Sequence, residues 1–447
     1  MTGRARYVVV GGVVGAVTLL AGLIGGAGGF DPPAAYAASA TDSGGAISVW
    51  VDAPRVPGVE AFEKSHPGIK VNLVTIPTAD SDSQLEQKFV LDDEAGKGWP
   101  DAIFFPDNGD VAWASDSSIN YTADLSKLVP SKILGGYDSA TIGVCRIGGE
   151  LRCLRNDTAP DVLWYNAKLF AQWGYTPPKT WEQYETLAVK IAKQHPGYVS
   201  GLLGDGYAVG RYLQGSGCPV SEPGATATTA IVDPQSPKCT RVVSMLQTLL
   251  AAKAVTPDGI FDSSAAALGS KIVMTPGAVW YGDYLFKDTF KVPAGEMTAA
   301  PSLYWSTDPT HITGDEGGGL YGLSNHIKGK ELQNALTFVE WMVTAPAWQV
   351  DLSTGLPAYG PDRTLWLDKQ NSDGYFADYP AMEKAILAAP SLVAKNYAYL
   401  QYDPTAVWDD AMVPVVANHG SVTSGWKAFI SQLINKAKSV GYSVSSS

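Results

Sequence analysis

Apolar positions in this chain first cluster as short dense runs, then spread at helical spacing, and then cluster again. Residues 46–51 (Ala46-Ile47-Ser48-Val49-Trp50-Val51) form such a run and predict a strand. A helix is predicted over 58–65, stopped by His66-Pro67-Gly68. Apolar and polar residues alternate over 69–76, the period of a half-buried strand. A helix over 83–94 and a third strand over 101–105 (Asp101-Ala102-Ile103-Phe104-Phe105) follow. Strands alternating with helices imply an α/β fold with a largely parallel sheet flanked by helices.

The stretch 148–187 is the most informative. Val162-Leu163-Trp164-Tyr165-Asn166 reads as a buried strand and its exit. Pro177-Pro178 forces a turn. Thr180, with Gln183 three residues on, makes a capping box that opens a helix. Trp181, Tyr184, Leu187, Ala188 and Ile191 share one face of that helix. Further on, Pro276 and Gly277 are expected to interrupt regular structure. That leaves Ala278-Val279 as a short strand that delivers Trp280, with Gly282 keeping the next backbone low and Asp283 close by.

Composition narrows the function classes. The chain has 32 basic and 44 acidic residues, a net charge of −12, which argues against nucleic acid or an anionic membrane surface as partner. There are 13 Trp and 21 Tyr, several beside Gly, Pro, Asp or Thr, as in Trp280-Tyr281-Gly282-Asp283 and Tyr304-Trp305-Ser306-Thr307-Asp308. Loop aromatics beside polar groups suit a carbohydrate, whose ring faces are apolar C–H and whose hydroxyls need donors and acceptors. At the N-terminus, Arg4 and Arg6 precede an uncharged run over 7–30, followed by Ala35-Tyr36-Ala37. This reads as a secretory signal peptide over 1–37, with an uncleaved anchor as the alternative. Export implies oxidised cysteines. Four allow three pairings, and the short spacings favour Cys145–Cys153 and Cys218–Cys239. No CxxC or clustered histidine suggests a metal, and no cofactor is expected.

The order Tyr165-Asn166, Leu169-Phe170, Gly174, Pro177-Pro178, Thr180-Trp181, Tyr184 resembles the extracellular solute-binding proteins of sugar ABC importers, the maltose-binding-like family. The strings ISVW, FEKSHPGIKV and GWPDAIFF are similar to that family's first lobe. GGGLYGLSNHIKGKELQNALTFVEWMVTAPAWQ and STGLPAYG are similar to its hinge return and second crossing. The resemblance runs from about residue 46 to about residue 426, is loose over 205–271, and departs from the family pattern at 151–156. No lipobox cysteine follows the leader, so the means of retention at the envelope is open.

The resemblance implies a periplasmic-binding-protein-like fold of two lobes with the ligand in the cleft between them. Lobe one is expected over 46–155 plus 318–350 and lobe two over 156–317 plus 351–447. It implies capture of a mono- or oligosaccharide, delivery to the permease subunits of an ABC transporter, no catalysis, and a monomeric, exported, extracellular or envelope-associated protein. Ligand candidates lie in loops at the carboxyl ends of strands. They are Trp50, Asp52, Asp107 and Asn108 in lobe one, and Asn156 and Asp157 at the first crossing. Asp205, Trp280, Tyr281, Asp283 and Trp305 are expected from lobe two, and Gly318, Tyr321 and Tyr359 from the return segments.

Other readings stay open at this level. A secreted glycoside-acting enzyme needs only two facing carboxylates, and the chain has acids in abundance. A membrane-anchored sugar-sensing ectodomain would share the fold. Gly317-Gly318-Gly319-Leu320-Tyr321-Gly322 fits a dinucleotide fingerprint, but a polar run precedes it and no helix follows, so it reads as a tight turn at a crossing.

Overall fold

The structure is a computed structural model. It describes residues 45–446 apart from 77–81, 107, 117–118, 227, 395–399, 401, 403 and 419. The expected leader over 1–37 and the candidate Asp107 lie outside the described residues.

The first sheet is built on β1 (Ile47–Asp52), buried along almost its whole length. Such a strand must be covered on both faces, and it sits between two parallel neighbours, β2 (Val71–Ile76) and β3 (Ala102–Phe105). Helix α1 (Val56–Ser65) enters after Pro54 and covers one face through Val59 and Phe62. Helix α2 spans Asp82–Ala95. Beyond β3 the direction reverses. Strands β4 (Leu154–Arg155) and, late in the chain, Leu320–Leu323 extend the sheet, the latter antiparallel to both β3 and β4. The reversal has a simple cause: this late strand re-enters from the hinge side rather than through a helical crossover.

The second sheet has β6 (Asp161–Asn166) at its centre, after a short β5 (Asp157–Thr158). Its neighbours are β7 (Met274–Ala278) and β8 (Met297–Ala300), and both run against it. This sheet is therefore antiparallel where strand–helix alternation predicted parallel pairing. β6 carries the chain away from the hinge, while β7 and β8 carry it back. The register Ala278↔Asp161 brings the end of β7 to the hinge, which delivers Trp280 there.

β7 also corrects a local expectation. Pro276 and Gly277 do not interrupt it; they lie inside it. β7 is an edge strand, so the missing N–H of Pro276 breaks no ladder on its outer side. Helix α3 (Trp181–Gln194) follows the sequence closely. Thr180 Oγ1 accepts from Gln183 N (3.3 Å), while Gln183 Oε1 accepts from the N–H of Lys179 (2.9 Å). Trp181, Tyr184, Ala188 and Ile191 are buried and Leu187 is half-buried. Cys145–Cys153 and Cys218–Cys239 are both disulfide-bonded, the first spanning a hairpin of Arg146–Ile147 with Glu150–Leu151.

Three segments meet where the sheets adjoin. Asn156 N donates to Gly319 O (2.8 Å), Glu316 N to Ala159 O (2.9 Å) and Asp161 N to Gly314 O (3.0 Å). The third segment pairs Leu356–Pro357 with β5.

Candidate functional site

A cleft opens at this junction, with about 610 Å3 of space that includes its open mouth. One side comes from the turn after β1: Asp52, Pro54 and Arg55, with Pro106 beside them. The floor is the hinge: Asp157, Glu316, Gly317, Gly318, Thr354 and Gly355. The other side is aromatic: Tyr207, Phe261, Trp280 and Tyr284.

The aromatic side is one connected platform. Trp280 and Phe261 lie nearly parallel, 6° apart with centroids 6.2 Å from each other. Tyr207 and Tyr284 each stand edge-on to both, at 6.0–6.1 Å. Phe261 is 49 % exposed, a large apolar area for a free surface. Trp280 is half-buried, and its Nε1 donates to the backbone oxygen of Glu316 (3.0 Å), tying the platform to the hinge.

The polar side is centred on Arg55. Its Nη1 donates to Asp52 Oδ2 (3.1 Å), Nη2 lies 3.7 Å from Asp157 Oδ1, and the guanidinium stacks 4.1 Å over Phe104. Burial pushes the Asp52 carboxyl above its ordinary range, with Arg55 opposing. Asp157 Oδ1 also accepts from Asn156 Nδ2 (2.7 Å) and Gly319 N (3.2 Å). Gly318 has φ +89°, and a Cβ there would meet Arg155 Nη2 at 2.4 Å, so the floor is flat because no side chain fits.

The sequence-derived candidates divide accordingly. Asp52, Asp157, Trp280 and Gly318 line the cleft. Trp50 lies in the first lobe's core, edge-on to Phe89, because its position in β1 points it into the sheet's covering layer. Tyr321 is likewise internal, packed on Phe104 and Phe338. Asn156 is spent inside the hinge, accepting from Trp348 Nε1 (3.1 Å) and Gln349 Nε2 (2.7 Å). Asp205 accepts from Arg211 Nη2 (3.4 Å) and Ile260 N (2.8 Å). Tyr281 is fully buried beneath Trp280. Asp283 turns away toward Gln370 and Lys287, because the chain from Tyr281 to Thr289 is helical and carries it off the cleft side. Trp305 packs on Trp181 and under Arg241. Tyr359 packs on Tyr137. Asn108 opens the helix Asn108–Ala114. Sequence reasoning missed Arg55, Tyr207, Phe261, Tyr284 and Glu316. The one available signal was Phe261, an aromatic residue beside Ile260 in a short turn-rich stretch between Asp258 and Asp262.

A two-lobed fold with a hinge cleft of this kind defines a class of binding protein, and comparison with known proteins agrees. The chain belongs to the bacterial extracellular solute-binding proteins, whose family pattern matches residues 38–347. A protein of Deinococcus radiodurans described as a probable ABC transporter-binding protein is 28% identical over 206 residues, 43% of this chain and 46% of that one. The match thus spans about half of that relative's length. Among solved structures, the galacto-N-biose-/lacto-N-biose I-binding protein of the ABC transporter from Bifidobacterium longum, in complex with lacto-N-biose, superposes with a TM-score of 0.70. It is 20% identical and covers 91% of this chain and 100% of its own. The ABC transporter associated binding protein from B. animalis subsp. lactis, in complex with β-1,6-galactobiose, gives 0.68 at 18% identity, over 90% and 99% of the two chains.

Proposed function

We propose that this protein captures a mono- or oligosaccharide in the cleft and delivers it to the permease of an ABC importer. The observation that carries the reading is the pairing of a four-ring platform with a polar wall of Asp52, Arg55 and Asp157. A sugar presents an apolar face to the rings and equatorial hydroxyls to the charged wall. The sugar complexes of the two superposable binding proteins support the same ligand class. Trp280, Phe261, Tyr207 and Tyr284 are the stacking surface, and Arg55 with its two carboxylates is the hydrogen-bonding surface. Lobe one is taken as 46–155 plus 318–350 and lobe two as 156–317 plus 351–447. The protein is read as an exported monomer that binds its ligand without cleaving it.

A thermal-shift screen tests this. Lacto-N-biose, β-1,6-galactobiose, maltose and their monosaccharides are added at millimolar concentration. A ligand that binds only the native state raises the melting temperature, by linkage worth about 2.7 kcal/mol at a hundredfold excess over Kd. At least one sugar should give a clear rise, with no hydrolysis product by chromatography. No rise with any carbohydrate would remove the sugar, and product formation would restore the glycosidase.

A further inference from the structure

Beneath the aromatic platform lies a closed cluster of charge that the ligand reading does not use. Glu316 has no exposed side-chain surface and accepts from Tyr281 Oη (2.6 Å) and Arg211 Nη2 (3.1 Å). Arg211 is also fully buried; it donates to the backbone oxygen of Leu202 (2.7 Å) and faces Asp205 (3.4 Å) as well as Glu316. Asp161, at the first position of β6, is 2 % exposed, and neither of its oxygens receives a hydrogen bond from any N–H or hydroxyl among the described residues. The space around it is full, since a Cβ on Gly314 would meet Asp161 Oδ2 at 2.4 Å and Gly210 O at 2.2 Å.

Acids outnumber cations in this closed space. Arg211 is shared between Glu316 and Asp205. Asp315, the other acid facing Asp161, is bound to Arg155 (2.8 Å). Among the described residues no cation forms an ion pair with Asp161; Arg211 acts on it only through space, from its place on Glu316 and Asp205, and an ionised carboxylate buried without a direct partner costs many kcal/mol. A carboxylic acid removes the cost, because it can donate its proton to the neighbouring carboxylate. The acid that shares this space is Glu316: Gly210, whose carbonyl lies beside Asp161 Oδ2 under Gly314, is also the residue whose Cβ would meet Glu316 Cγ at 3.1 Å.

We propose that Asp161 and Glu316 share one proton in the native protein, and that this proton fixes the position of Trp280. The link to Trp280 is short and runs through one residue: Glu316, whose side chain takes the shared proton, also accepts the Trp280 indole N–H at its backbone oxygen (3.0 Å). Asp161 and Glu316 are thus positioning residues. That Trp280 is a ligand wall rests on the proposed function; the shared proton does not. Burial, then the charge of Glu316, push the Asp161 carboxyl well above its ordinary range. Burial also raises Glu316, with Arg211 opposing. Losing the proton would set two carboxylates against each other across the hinge strands, loosening the 314–316 segment that anchors the platform.

The test needs no sugar. Infrared spectra of the whole protein near neutral pH should contain the carbonyl stretch of a buried protonated acid, absent from Asp161→Asn. Selective 15N-tryptophan labelling reads the platform, with the Trp280 indole resonance assigned by its loss in Trp280→Phe. In the native protein that resonance should shift on the alkaline side as the proton leaves. In D161N, whose amide donates to Glu316 at every pH, it should stay fixed. D161N should also melt no lower than the native protein near neutral pH, since it removes the linked cost of keeping an acid protonated. Absence of the infrared band, or a Trp280 shift identical in native and D161N protein, would overturn the proposal. A D161N protein that melts far lower at all pH would overturn it too, by showing that Asp161 is ionised and partnered.

Discussion

Trp280 is the residue on which stacking turns, and its surroundings separate binding from stability. The ring is half-buried, with one edge tied to Glu316 and its neighbours contributed by Phe261, Tyr207 and Tyr284. Trp164 is the contrasting case: 1 % exposed at the centre of the second sheet's core, with Nε1 donating to Ala278 O (2.8 Å). Trp280→Ala should weaken sugar binding by about 2 kcal/mol, roughly thirty-fold, in calorimetric titration. Trp164→Ala should cost about 3–5 kcal/mol of folding stability instead. If Trp280→Ala lowers the melting temperature as much as Trp164→Ala and leaves affinity unchanged, Trp280 is a core residue and the platform is only packing. The place of Trp280 was legible although its strand was not: the expected Ala278-Val279 strand is instead β7, which contains Pro276 and Gly277 and ends at Ala278, and a strand end at a hinge is where ligands sit. Phe261 and Arg55 were not legible in the same way. Whether a loop phenylalanine is exposed depends on partners as distant in the chain as Tyr207 and Trp280, and Arg55 faces the cleft only because Asp52 and Asp157 meet there.

At the scale of elements, what could be read locally was read, and what depended on a sheet was not. Helix α3 carries its own start signal and its own apolar face, so cap and burial follow from 180–191 alone. β7 does not: Pro276 is tolerated only because the strand is at an edge, a fact that involves β6, more than a hundred residues earlier. The first sheet has a testable electrostatic feature of the same nonlocal kind. Asp101, just before β3, accepts Ser48 N from β1 at Oδ2 (2.6 Å), and Asp101 N donates back to Ser48 O (2.8 Å). Burial raises its carboxyl from an ordinary value of 3.8 to about 7, with Glu331 adding to the rise and the Ser48 N–H opposing it. The folded state therefore holds a proton that the unfolded chain releases between those values, so this site's contribution to stability falls as pH rises from about 4 to about 7. Asp101→Asn keeps an acceptor for Ser48 but has no proton to lose. Melting curves across that range should show a smaller decline for D101N than for the native protein. Parallel curves would mean that Asp101 is ionised when folded.

For the whole molecule, the arrangement of segments 154–161, 313–320 and 355–358 determines what binding can do. The backbone of the first is hydrogen-bonded to each of the other two, and the cleft walls hang from either side of them. The polar wall is Asp52 and Arg55 from the first sheet's turn after β1, backed by Asp157 of the hinge, and the aromatic wall is Tyr207, Phe261, Trp280 and Tyr284 on the side of the second sheet. A ligand that touches both walls gains contacts when they approach, and only such a difference between open and closed forms can shift their populations. A ligand that stacks on the aromatic wall alone has no reason to close the cleft. Small-angle scattering of the native protein at saturating sugar should therefore show a smaller radius of gyration than the free protein, in the manner of hinge closure. Arg55→Ala removes the wall's central side chain while leaving the platform in place. That variant should keep part of its affinity for the sugar but lose the contraction. A contraction of equal size in R55A would show that closure is driven from elsewhere in the hinge. An unchanged radius in the native protein would mean that the cleft is already at its working width, and that capture here depends on stacking and the polar wall without lobe motion.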